Sequence, residues 1–204
     1  MATAGKTRTR VIAGLSRPAI ARTALELIDR DGLAAFSMRR LAAELGVQVG
    51  ALYVHVPDRD ALLVDVSMLV ADEVRLPTSP AWDDWLAAFA RRWRRAVRRH
   101  PHTAALMGTL VSSAGDLDLV EAILGALHRG GFRGRALVEG YNAFLGALVG
   151  VVTLELTPAP PSVDVDSHPL LRELLATAPS HPSAEAAFTA AIGVVIEGLR
   201  QALR

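Results

Sequence analysis

Tyr53 and His55 stand near the end of the run Ser37-Met-Arg-Arg-Leu-Ala-Ala-Glu-Leu-Gly-Val-Gln-Val-Gly-Ala-Leu-Tyr-Val-His-Val56. Both carry a hydrogen-bonding ring on a stretch, 48–56, whose only other polar side chain is Gln48. Within the run, Ala42 is small where two short helices must approach, and Gly46 permits a left-handed turn. Val47 and Leu52 plug the angle between the helices. Gln48, Val49, Gly50, Ala51, Tyr53 and His55 are left pointing outward. A phenol and an imidazole presented together are poorly explained by packing and well explained as partners of phosphate oxygens. Two short helices crossing steeply also let the second enter a major groove. Ala, Gly and Leu at these spacings occur in many helical hairpins, so the skeleton alone decides little. The outward Tyr-x-His, with Ser37, Arg39 and Arg40 before it, makes DNA binding the favoured reading.

The surrounding elements must hold that pair of helices. Ser16 with Pro18 in the first turn opens a helix whose apolar stripe is Ile20, Ala21, Ala24, Leu25 and Ile28, and Gly32 ends it in the left-handed conformation. Ser37 reads as an N-cap, with Phe36 and Leu41 at the spacing of a hydrophobic staple. That helix ends near Leu45-Gly46, and a short helix is expected over 48–55. Pro57-Asp58 stops it and caps the next helix, which runs through Leu62, Leu63, Val66, Leu69 and Val70. The reading is a basic N-terminal arm over 1–15, a three-helix helix-turn-helix domain over 16–60, and a helical remainder over 61–204; along the chain, Pro77-Thr-Ser-Pro80 is the best boundary candidate by composition. No segment alternates as a strand does, so the fold class is all-α.

In the remainder, 82–99 is amphipathic at helical period. Trp82, Trp85, Leu86, Phe89, Trp93 and Val97 share one side, and Arg91, Arg92, Arg94, Arg95, Arg98 and Arg99 cover the other. The arginine face reads as a solvated surface, with a second nucleic-acid site as the alternative. Further helices are expected over 102–112, 116–129, 134–156, 168–177 and 183–203, with a proline-rich loop over 157–169. Aromatic and long apolar side chains gather at Trp85, Phe89, Trp93, Met107, Leu110, Tyr141 and Phe144, with Asn142 as a polar neighbour. They are core by default, or the wall of a cavity for a hydrophobic, aromatic effector oriented by one or two hydrogen bonds. Gly146 and Gly150 share a helix face and allow a second helix close, either within the chain or across a four-helix dimer interface.

Composition excludes several classes. The 204 residues contain no cysteine, so disulfides, thiolate zinc sites and a cysteine nucleophile are absent, which fits a reducing cytoplasm. The net charge of +1 is uninformative, but residues 1–60 are modestly basic, as phosphate binding requires. The N-terminus lacks the apolar core of a secretory signal. The longest apolar run, 143–154, falls short of the ~20 residues a bilayer demands, so no membrane partner is expected. His100 and His102 flank Pro101 without a carboxylate at helical ligand spacing, so no metal and no cofactor are expected. No Ser/His/Asp arrangement, glycine-rich phosphate loop or carboxylate pair at ligand spacing supports an enzyme.

The run 15–66, above all Leu52-Tyr53-Val54-His55-Val56, resembles the TetR (tetracycline-repressor) family of bacterial regulators. His168-Pro-Leu-Leu-Arg-Glu-Leu-Leu, Gly131-Phe132 and 188–203 resemble that family's regulatory domain, so the resemblance covers nearly the whole chain. It implies that Ser37, Tyr53, His55 and Arg59 hold phosphates, that Arg39 reaches a guanine edge, and that Gln48 to Ala51 face the groove. Gln48 departs from the usual serine or threonine cap, and Val49-Gly50-Ala51 offers no hydrogen-bonding side chain, so direct base readout is sparse. The tail Lys6-Thr-Arg-Thr-Arg10 either reaches the minor groove or is simply a soluble tail. Where tetracycline-binding members place a magnesium-holding histidine, this chain aligns Leu106 or Met107. The expected function is a cytoplasmic, homodimeric, ligand-responsive repressor on palindromic double-stranded operator DNA, whose effector tilts the helix beginning at Asp58 and so changes the spacing of the two reading heads. The alternatives are a constitutive DNA-binding regulator without effector, or a helical-bundle enzyme.

Overall fold

In the computed structural model the described residues are 15–106, 117–157, 167–177 and 183–203. Every regular element among them is helical. Helix α1 (Arg17–Asp31) opens on Ser16, whose hydroxyl accepts from the Ala19 amide at 3.4 Å, with proline in its first turn. It ends on Gly32 at φ +83 and ψ 154, a positive-φ conformation more extended than the left-handed helical one expected. Ile20, Ala21, Ala24, Leu27 and Ile28 are its buried residues. Leu27 takes the place in the core that the sequence stripe gave to Leu25, which is half-buried. Helices α2 (Met38–Glu44), α3 (Val49–Leu52) and α4 (Arg59–Ala71) follow. Asp58 caps α4 by accepting from the Ala61 amide at 2.8 Å, and Leu62, Leu63, Val66 and Val70 are its buried large side chains.

Two compact units emerge, Met1–Leu76 with Arg92–Glu121, and Pro77–Arg91 with Ala122–Arg204. The first extends past the 16–60 motif, because α4 packs on α1. Arg17 clamps that pair through a bidentate contact with Asp65, at 2.7 and 2.8 Å, which raises the guanidinium pKa. Helix α5 (Trp82–Arg99) runs through the division. Its arginines correct the expectation of a wholly solvated face: Arg94 is only 5% exposed. Arg92 donates to the carbonyls of Arg75 and Leu76, both at 2.8 Å. Acidic residues in the first turn and Arg98 and Arg99 in the last complement the helix dipole.

In the second unit, α6 (Leu117–Arg129, from Ala122 on), α7 (Gly134–Leu156), α8 (Pro169–Thr177) and α9 (Ala184–Ala202) follow. The α7 face Phe144, Leu145, Leu148 and Val152 is buried, as is the α9 face Phe188, Ile192, Ile196 and Leu199, and the two helices pack together. Spacings of three and four residues put each set on one side of its helix. Arg200 pairs with Asp83 at 2.7 Å and holds that carboxyl below its usual range. The whole of α7, 23 residues with a mean hydropathy of 1.6 in its most apolar window, is long and apolar enough to cross a bilayer. This corrects the reading from the run 143–154, which stopped at the interrupting Asn142 and Glu155. Core helices of soluble proteins share that length and composition, and the buried face of α7 packs on α9.

One close approach yields a stability test. Trp82 meets Phe132 edge-on at 5.4 Å, and a Cβ added to Gly130 would lie 2.7–2.9 Å from the Trp82 ring. Gly130→Ala is therefore expected to destabilise the fold by ~1–3 kcal/mol, because the indole must move off a packed partner. Gly125→Ala, where the nearest atom is the end of Arg129 at 3.7 Å, is expected to be neutral or to stabilise by up to ~1 kcal/mol through helix propensity. Thermal unfolding of both variants checks the pair; equal melting points would remove the steric argument.

Candidate nucleic-acid interface

Ser37 is the N-cap of α2, and its Oγ accepts from the Arg40 amide at 3.3 Å. That role leaves its O–H available to an outside acceptor. Phe36 and Leu41 are both buried, as a staple requires. Arg39 is exposed, and among the described residues it forms no ion pair. Arg40 behaves differently: its guanidinium lies 2.6 Å from Asp31 and donates to the Ala35 carbonyl at 2.9 Å. Arg30 adds a second tie between α1 and α2, with Glu44 at 3.0 Å and Asp31 at 3.3 Å. These contacts raise the Arg30 pKa and lower that of Glu44. An open, charged cleft of about 270 Å³ lies among Leu27, Arg30, Arg40, Ala43 and Glu44.

The turn between α2 and α3 forms as read. Gly46 sits at φ +66, and the Val47 amide donates to the Ala42 carbonyl at 2.9 Å. The second helix is shorter than expected, Val49–Leu52 rather than 48–55. Gln48 makes no side-chain cap bond, and Gly50 disfavours a longer helix. The chain then turns on the Leu52 carbonyl, which accepts from both His55 at 2.9 Å and Val56 at 3.0 Å. Leu52 and Val56 are buried and anchor the turn. Between them Tyr53 is 49% and Val54 79% exposed, and His55 is half-buried. Gln48 and Gly50 are exposed and Val49 and Ala51 half-buried. Arg59, in the first turn of α4, lies 5.8 Å over the Phe36 ring and 3.7 Å from Asp60. Its charge is thus stationed beside the residue that precedes Ser37.

The residues expected to line an effector site divide. Trp85 stacks parallel on Phe89 at 5.4 Å, Phe89 tilts onto Phe144 at 6.3 Å, and the Trp85 indole donates to the Pro77 carbonyl at 2.8 Å. Tyr141 is half-buried, and burial pushes its hydroxyl pKa up. Asn142 is exposed. Trp93 is buried in the part of α5 assigned to the first unit. Met107 and Leu110 lie outside the described residues, as do the arm residues 1–14 and most of the proline-rich loop. Sequence reasoning missed a cluster of His100, Asp29 and Glu73, in which both imidazole nitrogens face carboxylates. Their separation along the chain leaves no spacing signal to find it by.

Residues 20–66 match the family described as bacterial regulatory proteins, tetR family. Residues 76–203 match the tetracyclin repressor-like C-terminal domain. An HTH-type transcriptional regulator of Saccharopolyspora erythraea is 35% identical over 69% of this chain, and the match spans 61% of that relative's length. The class D tetracycline repressor protein of Escherichia coli is 30% identical over 80% of each chain. Among solved structures, the TetR family protein ActR of Streptomyces coelicolor in complex with actinorhodin superposes with a TM-score of 0.78. It is 26% identical over 92% of this chain and 98% of that one. A reading head built as described, followed by a helical domain matched to the family along its length, has one assignment: the chain belongs to the TetR family of DNA-binding transcriptional regulators.

Proposed function

We propose that the chain acts in the cytoplasm as a homodimeric repressor, released from a palindromic operator by a hydrophobic, aromatic small molecule. The observation that carries this reading is a division of chemistry along α5. The head with its outward donors belongs to one compact unit, and the stack of Trp85, Phe89 and Phe144 belongs to the other. An effector seated among those rings would act on the head through α5 and tilt α4, and in a dimer a small tilt changes the spacing of two heads. In this reading Tyr53, His55, Ser37 and Arg59 hold phosphates, Arg39 reads a base edge, and Gln48, Val49, Gly50 and Ala51 face the groove. Arg40, already engaged by Asp31 and the Ala35 carbonyl, holds α2 in place and adds to the positive field. Dimerisation is supported by the outer sides of α7 and α9, where Val138, Leu154 and Val194 are exposed and nothing lies within 4 Å of a Cβ at Gly146 or Gly150.

A largely apolar ligand is favoured because Trp85, Phe89 and Phe144 offer it aromatic faces, whereas a charged ligand buried among those rings would need a paired charge beside them. The ActR structure holds actinorhodin, and a polycyclic aromatic compound is the effector class proposed here. The test is a compound screen with two readouts, tryptophan fluorescence and release of a duplex selected from random DNA by the protein itself. Aromatic compounds should quench fluorescence and release DNA together, since a ligand shifts an equilibrium only by its differential affinity. Tight apolar binding with unchanged DNA affinity would instead support a constitutive regulator, a reading that the complete burial of Phe89 and Phe144 favours. Release by polar anions alone would defeat the aromatic effector.

A further inference from the structure

His100 follows the last turn of α5 and precedes the turn Pro101–Thr103. Its Nδ1 lies 2.7 Å from an Asp29 carboxylate oxygen on α1, and its Nε2 lies 3.0 Å from a Glu73 oxygen just beyond α4. Both partners are acceptors. A neutral imidazole has one N–H and one lone pair, so it satisfies one carboxylate and turns a lone pair on the other. Only the imidazolium donates to both. The carboxylates favour that cation against the burial of the ring: Asp29 Oδ1 is buried and accepts no hydrogen bond among the described residues. A desolvated carboxylate needs a paired positive charge.

We infer that His100 is a positioning residue for DNA binding: as an imidazolium it ties α1 and the end of α4 to the end of α5, and loss of its proton loosens the reading head. The charged groups around it fit this role. Asp29 faces it from α1 and Glu73 from beyond α4. Arg99, from the last turn of α5, pairs with Glu73, and His102 in the following turn carries the neighbouring imidazole. Burial alone pulls the His100 pKa down, but the hydrogen bonds it donates to Asp29 and Glu73, with their charges, outweigh it, and the net direction is up. A folded pKa above the unfolded value of about 6.5 makes the sign definite. The stabilisation is fully present below about pH 6.5 and is lost as pH rises through the folded value. Since α1 packs on α2 and α4, and α2 on α3, releasing α1 disturbs the element that presents Tyr53 and His55.

The inference rests on the DNA-binding reading, whose failure shows separately as no duplex bound at any pH. The experiment uses the full chain and a duplex selected from random sequence, with three readouts. These are His100 ring titration by NMR, DNA-free melting against pH, and duplex Kd against pH. In the wild type, His100 should titrate above about 6.5, and from about pH 6 to about pH 8.5 the melting point should fall and Kd weaken about three- to tenfold. Glu73→Gln supplies an amide that donates to the neutral ring while Nδ1–H stays on Asp29, so both pH slopes should flatten. His100→Gln should flatten them as well. His55→Gln should weaken binding but keep the wild-type melting profile. Titration of His100 at or below about 6.5 would overturn the inference. So would a Glu73→Gln variant whose melting slope vanishes while its Kd slope remains, because the cluster would then be structural only.

Discussion

Replacing Arg39 with alanine is expected to weaken the selected operator by ~1–3 kcal/mol, about 5- to 150-fold, and to leave binding to scrambled duplex much less affected. Arg39 is exposed on α2, the helix that precedes α3, and among the described residues no carboxylate claims it. Its neighbour Arg40 is claimed twice, by Asp31 and by the Ala35 carbonyl. A guanidinium free of internal partners can form the bidentate contact to guanine that separates one base pair from another. Val49, Gly50 and Ala51 carry no hydrogen-bonding side chain, so in the proposed reading Gln48 is the other side chain available for direct hydrogen bonds to bases. Tyr53→Phe and His55→Ala, by contrast, should reduce operator and scrambled binding by similar factors, because phosphates are present on every sequence. Competition titrations with both duplexes separate the two patterns. An Arg39→Ala variant that loses affinity equally for both makes Arg39 a phosphate contact and moves specificity to DNA shape.

How far such a site is legible in sequence depends on the range of the interactions that build it. The caps at Ser16, Ser37 and Asp58 and the turn at Gly46 were readable because each is decided within about four residues. The length of α3 was not, since its end depends on Val56 folding back to be buried, a tertiary event with no local marker. Periodicity found the buried face of α5 but not the burial of Arg94, because an arginine on an apolar helix edge looks like surface until its neighbours are placed. The ties Arg17–Asp65, Arg30–Glu44 and His100–Asp29 join distant segments and were invisible for the same reason. The family resemblance reached further than the pattern because it carries tertiary information that spacing does not.

Val194→Glu is expected to convert the protein to monomers and to lower operator affinity about 10²- to 10⁴-fold, the range lost when two linked contacts become one. Helix α9 has two apolar sides. Phe188, Ile192 and Ile196 are buried against the chain's own core, whereas Val194 is 73% exposed, with Ala187, Ala190 and Gly198 exposed at helical spacing from it. An exposed apolar stripe on a helix whose other face is already packed suits a second copy of the chain. A two-fold axis places the same patch on both partners. Glutamate keeps helix propensity, leaves the inner face untouched, and is introduced twice per dimer, so two carboxylates would be desolvated without partners. Val194→Ala trims the side chain without adding charge and should remain dimeric with near wild-type binding. Leu154→Glu, on the exposed side of α7 at 76% exposure, provides an independent second site. Sedimentation at micromolar concentration reads the assembly, circular dichroism and melting confirm that each variant folds, and duplex titration reads function. If Val194→Glu and Leu154→Glu both remain folded dimers with intact affinity, the outer faces of α7 and α9 are not the interface. If both are folded monomers that still bind the full operator as tightly, the two-headed model of recognition fails.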